Sequence, residues 1–160
     1  MKRFLFSILS TPFEVDVDAT FKDGVAAVGW VEKDWEGTVT DAGAMKIRCS
    51  SALVAETMAM LVGLEAARNR WRRRVLMEGD NQGVINALQG KAELPWEAEI
   101  VATNVRQVME GFHTVSFNWV RRDRNSMVNG VARWMLLSGQ GTIATRQDIP
   151  FYLLTEHAGI

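Results

Sequence analysis

The chain has 160 residues, of which 48% are apolar and 23% are charged, and its formal net charge is −1. This composition is that of a folded domain, so it excludes an intrinsically disordered chain, and the charge gives no bulk attraction to nucleic acid. The single cysteine, Cys49, excludes an intramolecular disulfide and a cysteine-rich zinc site. We therefore expect an intracellular protein, in the nucleus or cytoplasm, with no membrane partner, since no apolar run approaches the ~20 residues of a spanning helix.

The first third of the chain predicts three antiparallel strands. Apolar residues alternate over residues 14–21 and 25–33, and the intervening Asp23–Gly24 is typical of a tight hairpin turn. A second turn, at residues 34–37, leads into a third predicted strand near residues 38–47. We therefore expect an antiparallel meander at the start of the fold.

A long helix and a buried strand follow. Ser51 is placed to cap a helix that continues to about residue 69, which is rich in alanine and carries apolar residues at helical spacing. Val75, Leu76 and Met77 are apolar in succession, which is typical of a central parallel strand that is buried on both faces. The predicted strand ends at Asp80.

The rest of the chain predicts helices around one more strand. A short helix begins at Asn81, a second opens at Pro95, and a last helix runs over residues 126–137 with Asn125 as its cap. Residues 114–120 alternate as a strand. Together these elements predict an α/β fold with a mixed sheet that is covered by helices on both faces.

Three acidic residues lie where this fold could bring them together. Asp18 stands within an apolar strand, Glu56 lies about two turns into the long helix, and Asp80 follows the central strand. Converging carboxylates at strand ends are ligands for hard divalent cations. Each also has a structural interpretation: Asp18 as a hydrogen-bonding residue near a turn, Glu56 as a solvated helix residue and Asp80 as a helix cap.

The chain resembles the ribonuclease H family in five segments: VDVDATF, GWV, SALVAETMAMLVGLEAA, VLMEGDNQGVINAL and VSFNWVRRDRNSMVNGVARWM. The resemblance covers residues 14–137 and is greatest to the plant-type branch, found as small proteins and in retroelement polyproteins. It implies a ribonuclease H-like fold with a five-stranded mixed sheet. It also implies hydrolysis of the RNA strand of an RNA–DNA hybrid with two Mg²⁺ or Mn²⁺ ions, for which Asp18, Glu56 and Asp80 would be three of four acidic ligands.

The fourth ligand position departs from the family pattern. Where the family has an acid, this chain has Asn129. The resemblance therefore assigns Asn129 to the catalytic and metal-binding residues, although its side chain carries no charge. An amide oxygen can coordinate a hard cation, but we expect the second ion to be held more weakly. The family's Asp-Gly in the first strand is also altered here, to Asp18–Ala19.

Two groups of residues are predicted to contact nucleic acid. Gln82 matches a glutamine of a family motif whose amide contacts the minor groove, and Asn81 stands beside it; capping by Asn81 and solvation of Gln82 are the alternatives. Arg121, Arg122 and Arg124 are predicted to contact phosphates. A second arginine cluster, at residues 68–74, is either another phosphate contact or a solvated connection.

Two functional hypotheses remain. The first is a metal-dependent ribonuclease H with an impaired second metal site. The second is a weak or inactive domain that acts as a nucleic-acid-binding or protein-interaction module; a related exonuclease or resolvase on the same scaffold is a minor third. We expect an N-terminal extension at residues 1–13, the ribonuclease H-like domain at 14–137, a tail at 138–160, and a monomer.

Overall fold

The sheet begins with three antiparallel strands, as the sequence predicts. The computed structural model describes residues 11–138 and 141–155. The strands are β1 (Phe13–Lys22), β2 (Val25–Lys33) and β3 (Val39–Arg48). The turn between β1 and β2 has positive φ at Asp23 (54°) and Gly24 (77°), the left-handed conformation that a two-residue hairpin needs.

The parallel part of the sheet lies on the other side of β1. Helix α1 (Ala52–Asn69) is capped by Ser51, whose hydroxyl accepts a hydrogen bond from the Val54 backbone N–H. Strand β4 (Arg74–Gly79) then pairs parallel with β1, and β5 (Thr114–Trp119) pairs parallel with β4. Between these strands lie α2 (Gln82–Leu88) and α3 (Trp96–Met109).

The last part of the chain crosses to the other face and adds a strand. A short 3-10 turn (Arg122–Asn125) leads into α4 (Ser126–Leu137). Strand β6 (Ile143–Thr145) pairs antiparallel with β3, and a 3-10 turn (Phe151–Leu154) follows. The strand order is β5-β4-β1-β2-β3-β6.

The sheet has one strand more than the five that the resemblance implied. The extra strand, β6, lies in the range that the sequence analysis assigned to a tail, and Ile149 beyond it is buried in the core. Most of the expected N-terminal extension (residues 1–10) and part of the expected tail (residues 139–140 and 156–160) lie outside the described residues. The predicted domain boundaries therefore stay predictions.

Helices cover the two faces of the sheet unequally. On one face, α1, α2 and α3 enclose a core with β1 and β4, and Gly63 of α1 lies so close that an added Cβ would meet Val17 Cγ1 at 2.5 Å. On the other face, α4 packs against β1, β2 and β3. Among the described residues, no helix is long and apolar enough to cross a bilayer.

The open half of the second face corrects one expectation. The central strand was predicted to be buried on both sides, but in β4 only Val75, Met77 and Gly79 are buried. The alternate residues Leu76 and Glu78 are half-buried, because they point to the face that α4 leaves uncovered. Part of this uncovered face is therefore a polar surface, and it lies beside the acidic residues.

Candidate metal centre

Three carboxylates converge at one edge of the sheet. Asp18 from β1, Glu56 from α1 and Asp80, directly after β4, each offer an oxygen, and these oxygens all lie within 4.8 Å of one another. Asp18 is 2% exposed, whereas Glu56 and Asp80 are half-buried. The structure thus brings the three predicted acids together, in a geometry that suits oxygen coordination of hard divalent cations. We call this cluster the triad.

Burial and mutual repulsion dominate the electrostatics of the triad. Burial raises the pKa of Glu56 to about 9, and the negative charges of Asp18 and Asp80 add to the effect. Burial also raises the pKa of Asp18, with a contribution from Asp80, while the hydrogen bond from Asn129 acts in the opposite direction. The exposed Arg122 favours the charged form of both groups. A divalent cation would relieve this repulsion, so the donor set fits Mg²⁺ or Mn²⁺.

Asn129 reaches the triad from α4. Its Nδ2 donates a hydrogen bond to Asp18 Oδ2 at 2.7 Å, so the nitrogen of the amide faces the carboxylate. An amide donor partly neutralises Asp18, whereas a carboxylate at this position would repel it. To serve as a metal ligand, Asn129 would have to present its Oδ1, because the nitrogen of a side-chain amide is a donor and does not coordinate a cation.

Two features hold α4 against β1, which carries Asp18, and against the neighbouring β2. Asn125, predicted to cap this helix, makes no cap hydrogen bond; its Nδ2 instead donates to the backbone oxygen of Val17 at 3.0 Å. Asn125 therefore occupies the predicted N-cap position, but its side chain turns inward to a strand carbonyl and does not cap the helix. Gly29 pairs with Asp18 in the β1–β2 register, and an added Cβ would meet the Ala132 backbone nitrogen at 3.3 Å.

The predicted nucleic-acid contacts lie at the same edge. Arg121, Arg122 and Arg124 are all exposed in the segment that leads into α4. Gln82 is exposed at the first position of α2. Asn81 caps that helix, since its Oδ1 accepts a hydrogen bond from the Val84 N–H at 3.0 Å. The geometry shows the capping interaction of Asn81, while contact with nucleic acid stays a prediction for all five residues.

The sequence assigned no functional role to Trp119, which lies in the predicted strand at residues 114–120. Its side chain is 42% exposed at the end of β5. Its indole Nε1–H donates to the backbone oxygen of Asp80 at 3.0 Å, so it holds the segment that carries a triad acid. The position of Trp119 at the end of its strand, next to the arginines, was the available signal.

Part of the arginine cluster at residues 68–74 has a structural partner. Glu32 is 1% exposed, and Arg72 Nε lies 2.7 Å from its Oε1 while Arg70 Nε lies 3.6 Å from its Oε2. The Arg72 guanidinium also stacks over the Phe13 ring, 3.8 Å from its centroid. These contacts favour the structural interpretation for Arg70 and Arg72, because their charges are used to balance a buried carboxylate.

Comparisons with known proteins agree with the geometry. The sequence model described as reverse transcriptase-like matches residues 14–135. The structure is similar to ribonuclease H1 of the archaeon Halobacterium salinarum, with 25% identity and a TM-score of 0.75 over 78% of this chain and 97% of that chain. None of the curated protein sequences matches the chain.

Two further solved structures share the fold. The N-terminal ribonuclease H domain of a Mycobacterium tuberculosis protein has 20% identity and a TM-score of 0.73, over 78% of this chain and 92% of that chain. LC11 ribonuclease H1, isolated from compost and solved with an RNA/DNA hybrid, has 16% identity and a TM-score of 0.71, over 79% and 99% respectively. The fold is therefore ribonuclease H-like.

Proposed function

Since the chain belongs to the reverse transcriptase-like family, we propose that it is a divalent-metal-dependent endoribonuclease that cuts the RNA strand of RNA–DNA hybrids. The fold and the acidic cluster support a nuclease of the ribonuclease H type. The observation that carries the proposal is the convergence of the Asp18, Glu56 and Asp80 oxygens within 4.8 Å. A buried acid such as Asp18 is costly to keep unless it binds a counter-charge.

The triad and Asn129 would hold the metal. When bound there, Mg²⁺ or Mn²⁺ would supply activation of a water and stabilisation of the leaving 3′-oxygen of a phosphodiester. Asp18, Glu56 and Asp80 provide charged oxygens, and the neutral Asn129 provides at most an amide oxygen. With three charges rather than four, these residues would hold a second ion more weakly, and the cleavage rate would depend more steeply on metal concentration.

The basic and amide residues at the same edge would bind the hybrid. Arg121, Arg122 and Arg124 are exposed beside the triad and suit contacts with phosphates. Gln82 is exposed at the start of α2 and can both donate to and accept from minor-groove edges and 2′-hydroxyls. Because the Asn81 oxygen caps the helix, its side-chain nitrogen is the group that can donate to the substrate.

The alternative is a domain that binds nucleic acid or a protein partner without cutting. The observation that favours it is the uncharged Asn129, whose nitrogen rather than oxygen faces Asp18. Ala19, where the family has glycine, adds a side chain that packs against the core next to Asp18. An intracellular location and a monomeric state stay predictions under either function.

The test is cleavage of a labelled RNA–DNA hybrid in Mg²⁺ or Mn²⁺. We expect Asp80→Asn to lower the rate at least about a hundredfold, because the triad loses a charged ligand. We expect Asn129→Asp to raise the rate and lower the Mn²⁺ concentration needed for half-maximal cleavage. Asp23→Asn is the matched control, since it makes the same chemical change in an exposed turn where φ is 54°.

The outcomes separate the two functions. If the parent cuts and Asp80→Asn does not, the chain is a metal-dependent nuclease. If neither the parent nor Asn129→Asp cuts in either metal, while the hybrid still binds, the non-cutting domain is the correct function.

A further inference from the structure

A second cluster of carboxylates lies beside the triad on the same side of the sheet. One oxygen each from Glu14, Asp16 and Glu78 lies within 4.8 Å of the others. Glu14 and Asp16 share a face of β1, and Asp16 pairs directly with Glu78 in the parallel β1–β4 register. The three side chains are therefore brought together by adjacent rigid strands.

The centre of this cluster holds an oxygen without a partner. Asp16 is 5% exposed, and among the described residues its Oδ1 has no hydrogen-bond donor. A buried carboxylate oxygen without a donor or counter-ion is strongly disfavoured. The residue that carries this unpartnered oxygen is therefore also the member of the cluster that lies directly opposite Glu78 on the adjacent strand.

The charges around Asp16 leave an excess of negative charge. Lys33 Nζ lies 3.5 Å from Asp16 Oδ2 and supplies one positive charge. Ionised Glu14, Asp16 and Glu78 carry three negative charges, so the group with Lys33 keeps two. One divalent cation would neutralise that remainder.

Glu78 lies on the accessible side of the cluster, and a neighbouring side chain orients its carboxylate. Helix α4 packs against β1, β2 and β3, and Ser116 and Asn118 on the same face of β5 are exposed. Asn118 pairs with Glu78 across the β4–β5 register, and its Nδ2 donates to Glu78 Oε1 at 3.2 Å. An ion can therefore approach the cluster from solvent at Glu78, which is half-buried.

We propose that Glu14, Asp16 and Glu78 bind one divalent cation at a site separate from the triad. Oxygen ligands alone select a hard ion, such as Mg²⁺, Mn²⁺ or Ca²⁺. Asp16 and Asp18 are two residues apart on one strand, so the two sites are about 7 Å apart, whereas paired catalytic ions are ~4 Å apart. The ion therefore is not a member of the catalytic pair; it ties β1 to β4 directly beneath the triad.

The experiment measures Mn²⁺ binding with the triad removed. In a background carrying Asp18→Asn and Asp80→Asn, free Mn²⁺ is followed by electron paramagnetic resonance at mildly alkaline pH. We expect one ion per chain to remain bound. Adding Glu14→Gln and Glu78→Gln should weaken its affinity at least tenfold, and Mn²⁺ should then no longer raise the melting temperature.

The matched control is Glu93→Gln in the same background, which removes one exposed carboxylate outside both clusters. We expect it to leave Mn²⁺ affinity unchanged. The single variant Glu78→Gln repeats the test with one half-buried side chain altered, in case the double change prevents folding. Equal affinity in the background and in the Glu14/Glu78 variants would overturn the proposal. Absence of any bound ion in the background would overturn it too, and would show that the carboxyl groups share a proton instead.

Discussion

Trp119 and Asn129 each place one donor N–H on the segments that carry the triad. Asn129 donates to the Asp18 carboxylate itself, at 2.7 Å. Trp119 donates to the backbone oxygen of Asp80, at 3.0 Å, and so restrains the loop between β4 and α2. A hydrogen bond of this kind, made to the backbone beside a metal ligand, helps to fix the direction in which the ligand points.

We predict that Trp119→Phe impairs the metal site more than the fold. Phenylalanine keeps most of the ring but loses the hydrogen bond to Asp80, so the concentration of Mn²⁺ for half-maximal hybrid cleavage should rise about tenfold. The free energy of unfolding in urea should change by no more than about 1 kcal/mol, because the side chain is 42% exposed.

The control for this change is Trp96→Phe. Trp96 is 72% exposed at the start of α3, away from the acids, so its variant should match the parent in metal dependence. A Trp119→Phe protein with unaltered metal dependence would show that the indole does not position Asp80.

At the scale of elements, the site depends on how closely α4 approaches the strands. The helix carries Asn129. Asn125, the residue immediately before the helix, donates a hydrogen bond to the Val17 carbonyl of β1. Gly29 of β2 lies under the helix backbone, directly opposite Asp18 in register. The close approach that Gly29 permits therefore sets the reach of Asn129 to Asp18.

We predict that Gly29→Ala moves α4 outward. The new Cβ would meet the Ala132 backbone nitrogen at 3.3 Å, and a backbone atom cannot rotate away. The free energy of unfolding should fall by about 1–3 kcal/mol in urea denaturation. Gly141→Ala is the control, because a Cβ there meets no atom within 4 Å. Equal stability of the two variants would show that the helix tolerates the shift.

At the scale of the whole molecule, two groups of carboxylates concentrate negative charge on one part of a chain whose formal net charge is only −1. Burial raises the pKa of Asp16 to about 8, with a further contribution from the charge of Glu14. Burial likewise raises the pKa values of Glu56 and Glu78. The folded chain therefore binds protons more tightly than the unfolded chain at these positions.

This difference predicts how stability depends on pH without divalent metal. For Glu56 the stabilisation is complete below its ordinary pKa of 4.5, and it is lost as the pH rises toward about 9. Each unit of pKa difference corresponds to about 1.4 kcal/mol. In the presence of a metal chelator, the free energy of unfolding should therefore fall by more than about 1 kcal/mol between pH ~5 and ~8.5. Replacing the chelator with Mn²⁺ should make this decrease smaller.

The matched pair for this prediction is Glu56→Gln and Glu93→Gln. The first removes a carboxyl whose pKa is raised, so its variant should lose less stability on going to alkaline pH. The second removes an exposed carboxyl and should follow the parent. If the free energy of unfolding of the parent protein in chelator did not change over this pH range, the result would contradict the charge repulsion described for the acids.

Much of the fold could be predicted because its signals are local. The Asp23–Gly24 turn, the Ser51 cap and the Asn81 cap each depend on a few neighbouring residues, and all three are present in the structure. Strand β6 could not be predicted in this way, because Ile143–Thr145 is short and pairs with β3 far along the chain. The inward hydrogen bond of Asn125 could not be predicted for the same reason, because the carbonyl that accepts it belongs to a strand far away in the sequence.

The sequence alone determined which chemistry is present: three acids in elements that converge, an amide at the fourth position, and arginines before the last helix. Residue type and short-range spacing decide such features, and they do not depend on packing. Only the tertiary structure decided that Asn129 donates to Asp18, that Trp119 holds Asp80, and that Glu14, Asp16 and Glu78 meet on an uncovered face. These contacts join residues far apart in sequence, so they depend on strand register and on which strands α4 covers.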